Sequence, residues 1–192
     1  MRIAILGWGS LVWCPRQLQI DGGWIKDGPK LPIEFSRISE DKRLTAVIDD
    51  EKGEYVSVRF ATSKCKTLDE AVNDLALRED PKLLRRRNPS LARFRLVAYV
   101  HVKTDGQKST AFPGAAGIVR QWALDHPYDA AIWTDLPSNF FGKRKEPFSV
   151  AGAIKHLDAL SEDEAAKAHQ YILKAPSEVS TPLRRALNAF PP

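Results

Sequence analysis

Two places in the sequence combine residue types that can do chemistry. The first is Gly7-Trp8-Gly9-Ser10-Leu11, which follows the short apolar run Ile3-Ala4-Ile5-Leu6. Glycines in a tight turn let a ligand approach the main chain closely. Successive amides in such a turn make a concave site for an anion or a carbonyl, and Ser10 adds a hydroxyl donor. The second place is Glu79. On a helical wheel at about 100° per residue, Leu68, Val72 and Leu75 form a narrow stripe, and Glu79 falls on it one turn beyond Leu75. Asp69, Glu70, Asn73, Asp74 and Asp80 lie on the other side, and Leu77 is the one apolar residue out of place. A carboxylate turned toward an apolar interior with no partner favours its protonated form, which is how a glutamate comes to serve as general acid/base near neutral pH.

Each feature has a plainer explanation. The glycines of the loop turn the chain whether or not anything binds there. Glu79 is equally explained by a helix that frays before it, or by an ion pair with Arg78 or Arg37. A strand followed by Gly7-x-Gly9 also invites comparison with a dinucleotide-binding turn. That motif needs a third small residue where Val12 stands and a helix opening on the pyrophosphate. Here Trp13, Cys14 and Pro15 follow, and proline opposes a helix at that point.

The elements that must position these residues are legible in part. Residues 2–6 read as a buried first strand. Residues 14–30, with Pro15, Gly22, Gly23, Gly28 and Pro29, read as loop and turns. Residues 31–38 and 44–48 read as strands, and Asp49-Asp50-Glu51-Lys52-Gly53 as a polar turn. Residues 54–60 alternate, so 44–48 and 54–60 are expected to form a β-hairpin. Thr67-Leu68-Asp69-Glu70 is a capping box opening a helix to about Asp80, with Pro81 at its end. Residues 91–102 read as a strand with Gly106 in the turn after it, and residues 115–124 as a short helix. Residues 130–133 fit a strand or a helix, and residues 131–140 stand out as a polar-aromatic loop. The last third is helical over 150–160. A second capping box, Ser161-Glu162-Asp163-Glu164, opens a helix to about Lys174. Thr181-Pro182-Leu183 opens a last helix with proline at its favoured first position.

Composition sets the outer bounds. The chain has 192 residues, 43% of them hydrophobic, which suffices for a single domain spanning 1–192 with a helical C-terminal extension from about residue 150. No run reaches the ~18 apolar residues of a membrane span, and the first residues lack the pattern of a signal peptide, so a cytoplasmic protein without membrane association is expected. The two cysteines, Cys14 and Cys65, do not form a disulfide scaffold. The four histidines, His101, His126, His156 and His169, are scattered, so no metal is expected. The formal charge is +5. Its two basic groups, Arg85-Arg86-Arg87 and Lys143-Arg144-Lys145, lack the aromatic interleaving of a nucleic-acid footprint and read as solvated surface. A mild positive field suits a small anionic ligand. The oligomeric state is left open.

The segment Leu6-Gly7-Trp8-Gly9-Ser10-Leu11-Val12-Trp13-Cys14-Pro15 resembles the opening of the γ-glutamylcyclotransferase superfamily. It is most similar to the ChaC-type, glutathione-specific branch, in which a Tyr-Gly-Ser-Leu loop precedes an aromatic residue and a proline. Trp8 stands where that branch has tyrosine. Residues 55–60, followed by Leu68 through Leu75 to Arg78-Glu79, resemble the branch's strand and helix ending in Arg-Glu. Leu31-Pro32-Ile33-Glu34-Phe35-Ser36-Arg37, with Arg43 in the turn beyond, resembles its aromatic–basic strand. The likeness covers roughly residues 1–100.

The resemblance implies an α+β fold with a mixed β-barrel or sheet and flanking helices. It implies that Gly7, Trp8, Gly9, Ser10 and Leu11 hold a γ-glutamyl group and that Glu79 is the catalytic acid/base. Arg37 and Arg43 are the candidates to meet a substrate carboxylate, with structural pairing the alternative for at least one of them. The implied reaction cyclises a γ-glutamyl compound to 5-oxoproline and needs no metal or organic cofactor. The partner is a small anionic γ-glutamyl substrate, with neither nucleic acid nor membrane involved. Other readings are a different γ-glutamyl compound as substrate, a non-catalytic small-molecule-binding protein on the same fold, and a hydrolase using Ser10 or Cys14. The last would need a partner histidine, and none has a recognisable local motif.

Overall fold

The computed structural model describes the chain except residues 86, 89–92, 94, 105, 106, 109–111 and 190–192, and describes residues 107 and 108 by backbone alone. The chain forms two compact units. The first comprises Met1–Gly7, Cys14–Lys30 and Ser57–Leu136; the second comprises Trp8–Trp13, Leu31–Val56 and Pro137–Pro192. Strands and helices are numbered along the whole chain.

The first unit is a mixed sheet built from β1 (Ile3–Gly7), β2 (Ile20–Ile25), β6 (Arg59–Ser63), β7 (Val97–His101), β8 (Gln107–Lys108) and β9 (Ala130–Thr134). Its order is β2-β6-β1-β9-β7-β8, an open sheet with β2 and β8 at its edges among the described residues. The expected barrel is therefore not closed, while the α+β class holds. The two central strands, β1 and β9, run parallel with Ile3, Ala4 and Ile5 opposite Ala130, Ala131 and Ile132. Their outer neighbours β6 and β7 run antiparallel to them. Every residue of β1 is buried, which is why its sequence is a continuous apolar run rather than an alternating one. The same setting resolves residues 130–133 as strand.

Two helices of this unit, α2 (Leu68–Glu79) and α3 (Pro113–Leu124), pack on β7 and β9. The capping box of α2 forms as expected: Thr67 Oγ1 accepts from the Glu70 amide, and the Glu70 carboxylate accepts from the Thr67 amide. Val72 and Leu75 are buried on its packed face. The strand expected at 91–102 begins only at Val97, and Leu91, Ala92, Phe94 and the expected turn residue Gly106 lie outside the described residues. Residues 14–30 are not all loop: β2 forms an edge strand there. Its register shifts between Asp21 and Ile25, and Gly22, at φ +70°, supplies the conformation that such a bulge asks of glycine.

The second unit holds a sheet of three strands, β3 (Lys30–Ile38), β4 (Leu44–Ile48) and β5 (Glu54–Ser57), in the order β4-β3-β5. The expected hairpin between 44–48 and 54–60 therefore does not form; β3 lies between its two arms. Gly53 makes this crossing possible, because its amide bonds Asp49 O and a Cβ there would stand 2.5 Å from both Asp49 O and Pro32 C. The alternating run 54–60 is itself cut at Val58, whose amide bonds Pro29 O and whose carbonyl accepts from Gly28. Residues 54–57 and 59–63 thus belong to different sheets.

The helices of this unit are α1 (Ser10–Trp13), α4 (Phe140–Arg144), α5 (Val150–Asp158), α6 (Glu162–Leu173) and α7 (Pro182–Ala189). Helix α6 opens on the second capping box and packs on β4, while α5 packs on both α6 and α7. Helix α4 was not legible in the sequence. No helix among the described residues is long and apolar enough to cross a membrane.

Candidate functional site

The residues bonded to the Glu79 carboxylate, among the described residues, lie in the first unit. Glu79 is the last residue of α2, and its side chain is 15% exposed. It is not unpaired. Arg78, itself buried, donates from Nη1 to Glu79 Oε1 at 2.7 Å, and Thr134 Oγ1 donates to the same oxygen at 3.2 Å. Both contacts engage Oε1, and among the described residues Oε2 has none. The group is therefore oriented through one oxygen.

Three further bonds tie this end of α2 to the segment after the loop. Arg78 Nη2 donates to Cys14 O at 2.8 Å, Arg16 Nη1 to Arg78 O at 3.3 Å, and Gln17 Nε2 to Leu77 O at 3.4 Å. The last two satisfy carbonyls that a helix C-terminus leaves without partners. Arg78 thus joins the carboxylate to the residue at which the chain returns from the loop.

Thr134 ends β9, and Gly7 ends β1. These strands are the central parallel pair, and each of the two residues lies two positions beyond the paired Ile5 and Ile132. Carboxyl ends of parallel strands are where open α/β sheets place their ligands. The first glycine of the loop and the hydroxyl that orients Glu79 therefore share one edge of this unit. Gly7 is buried and sits opposite Arg59 of β6.

The rest of the loop belongs to the second unit. Trp8 is buried and donates from Nε1 to Ala46 O on β4 at 3.1 Å, and Leu11 is buried as well. These side chains anchor the loop. Ser10 alone of the five loop residues is partly exposed. The chain turns at Gly9, whose carbonyl accepts from the Val12 amide at 2.9 Å, and enters the single helical turn of α1. That turn ends before Cys14-Pro15, as the proline requires, in place of the longer helix of a dinucleotide site.

Arg37 donates from Nη1 to Pro137 O at 2.7 Å, and burial draws its pKa down; it ties β3 to the segment after Leu136. Ser138 and Asn139 do the same, bonding Ser36 O and the backbone of Ile38, which explains the polar-aromatic run at 131–140. Arg43 pairs with Asp41 at 2.7 Å and lies over the ring of Tyr171 at 5.0 Å. Tyr171 on α6 also meets Trp13 edge to face at 5.2 Å.

Sequence reasoning missed three residues of these surroundings. In the sequence Arg78 is only one of two ion-pair partners open to Glu79, and Thr134 lies inside a polar-aromatic run with no local sign of its partner. Tyr171 follows a helical apolar pattern with Ala168 and Ile172, and such a tyrosine reads as core. Among the described residues no group of His, Cys, Asp and Glu has the arrangement to hold a metal ion. No family model, curated protein or solved structure matches the chain.

Proposed function

We propose that the chain is a γ-glutamylcyclotransferase-like enzyme that converts a γ-glutamyl compound to 5-oxoproline. The α-amine of the substrate attacks its own γ-carbonyl, closing a five-membered lactam, and the bond to the γ-nitrogen breaks. Glu79 takes the proton that the attacking ammonium loses and returns one to the departing nitrogen, so the products are 5-oxoproline and a free amine, amino acid or peptide. The main chain at Gly9 and Ser10 holds the γ-glutamyl group and meets the developing oxyanion. Folding the substrate into the attacking pose is a proximity effect.

The observation that carries this reading is the arrangement of Glu79: one carboxylate oxygen held by Arg78 and Thr134, the other without a hydrogen bond among the described residues, with Thr134 at the carboxyl end of β9, the parallel neighbour of the strand from which the loop departs. The resemblance of the loop supports the choice of substrate class.

The test is incubation with glutathione, several γ-glutamyl amino acids and γ-glutamyl amines, following 5-oxoproline by mass spectrometry. The wild-type protein should release it from at least one of them. Glu79→Gln should fold as wild type and lose at least about a hundredfold in rate, the usual range for a lost acid/base. Full activity in that variant would remove Glu79 from the reaction.

A further inference from the structure

We infer that Tyr171, on the C-terminal helix α6, is the positioning residue for the Gly9–Ser10 main chain. This rests on the reading of that main chain as the γ-glutamyl cradle. It gives the C-terminal helical region a part in the reaction.

The argument begins with what α1 lacks. It is a single helical turn of four residues, too short to hold its shape without tertiary contacts. Trp8 fixes its entrance through Ala46 O. Its exit, Trp13, lies edge to face on Tyr171 with ring centroids 5.2 Å apart. Between the two stands Gly9. A Cβ at that position would lie 3.2 Å from the Tyr171 hydroxyl and 3.9 Å from Ala46 Cβ. The first distance is tighter than most such contacts, so a side chain at residue 9 would need the phenol or the loop to give by a few tenths of an ångström. Glycine here leaves room for a side chain of the protein itself.

The phenol is confined in turn. Tyr171 is 8% exposed. Trp13 meets its ring, and the Arg43 guanidinium lies over it at 5.0 Å, itself held by Asp41. Helix α6 packs on β4, the strand that receives the Trp8 indole. One confined side chain therefore meets Trp13 and stands against the place a side chain at residue 9 would take, and the residues between those points include Ser10. A displacement of about 1 Å in such a group can cost on the order of a hundredfold in rate.

The experiment is a cycle of Gly9→Ala, Tyr171→Phe and the double variant, with two readouts at a temperature where every variant is folded. The first is kcat and KM for 5-oxoproline release from the best substrate of the panel. The second is stability by urea denaturation. Gly9→Ala should lower kcat/KM at least tenfold. Adding Tyr171→Phe, which removes the hydroxyl and keeps the ring, should restore most of that loss. Tyr171→Phe alone should change kcat/KM less than Gly9→Ala does. The stability loss from Gly9→Ala should likewise be smaller in the Tyr171→Phe background. Equal losses with and without the hydroxyl, in rate and in stability, would overturn the inference. A coupling seen in stability but absent from kcat and KM would also overturn it, because the tyrosine would then only pack. If wild-type protein releases no 5-oxoproline from any γ-glutamyl compound, the proposed function fails, and with it the reaction that Tyr171 is inferred to serve; the stability cycle still reports separately whether the phenol seats the loop.

Discussion

At the scale of single residues, Glu79 and Thr134 show what a linear sequence discloses. The helical wheel and the capping box place Glu79 at the end of α2 on the turn after Leu75, and the structure has it there. What the wheel cannot supply is a partner 55 positions away. Thr134 reaches Glu79 because α2 packs on β9, and nothing local in residues 130–134 announces that packing. The same limit hid Tyr171, whose part depends on a glycine 162 positions earlier in the sequence. A hydrogen bond to a charged group contributes about 1.5–3 kcal/mol, so loss of the Thr134 hydroxyl should be felt as misorientation of the carboxylate. Thr134→Val should lower kcat about tenfold, equivalent to about 1.4 kcal/mol, with little change in KM. Thr134→Ser, which restores the hydroxyl, should recover most of the rate. Steady-state kinetics on the two variants checks this, and equal rates in Thr134→Val and wild type would show that the bond does not matter to turnover.

At the scale of elements, the segments whose signals are local were readable, and those set by distant chain were not. Both capping boxes, the buried run of β1, the strands β3 and β4 and the proline at the start of α7 all stand where residue pattern puts them. The hairpin failed because alternation specifies a strand but not its neighbour, and the neighbour was decided by Gly53 against Pro32. The edge strand β2 was hidden by its own glycines.

Element packing also gives a pH dependence. Glu34 of β3 is fully buried and accepts from the amides of Phe35, at 2.7 Å, and Leu183, at 3.3 Å, in the first turn of α7. Burial pushes its pKa up, opposed by bonds from Thr181, Phe35 and Leu183 and aided by the charge of Asp49. The Arg185 guanidinium, paired with Glu54, also feels its charge. A carboxyl group whose pKa is raised on folding holds its proton more tightly in the folded state. Its contribution to stability is therefore present at low pH and is lost as pH rises from the ordinary glutamate range through the raised value. Glu34→Gln cannot ionise, so the stability of the variant relative to wild type should improve steadily with pH. Urea midpoints from about pH 5 to about pH 8 measure the difference; a constant difference would mean that Glu34 does not titrate against the docking of α7.

At the scale of the whole molecule, the question is whether the protein binds a γ-glutamyl compound at all, apart from whether it turns one over. The formal charge of +5 favours the approach of a small anion but selects none. Binding and chemistry separate in the Glu79→Gln variant, which on the proposed mechanism keeps the loop and loses the proton transfer. A ligand that binds only the folded protein stabilises it by about 2.7 kcal/mol at a hundred times its Kd. For a chain of this size that amounts to roughly 5–10 °C in Tm. The substrate that gives 5-oxoproline with wild-type protein should therefore raise the Tm of Glu79→Gln by that order, with no 5-oxoproline formed. Because the chain forms two compact units, heating need not give one two-state transition, and the shift should be read on each transition observed. Stabilisation of wild-type protein by γ-glutamyl compounds without any 5-oxoproline would point instead to a binding protein. The absence of any shift, in either form and across the panel, would remove γ-glutamyl compounds as ligands, because a folded state that gains no free energy from a ligand does not bind it.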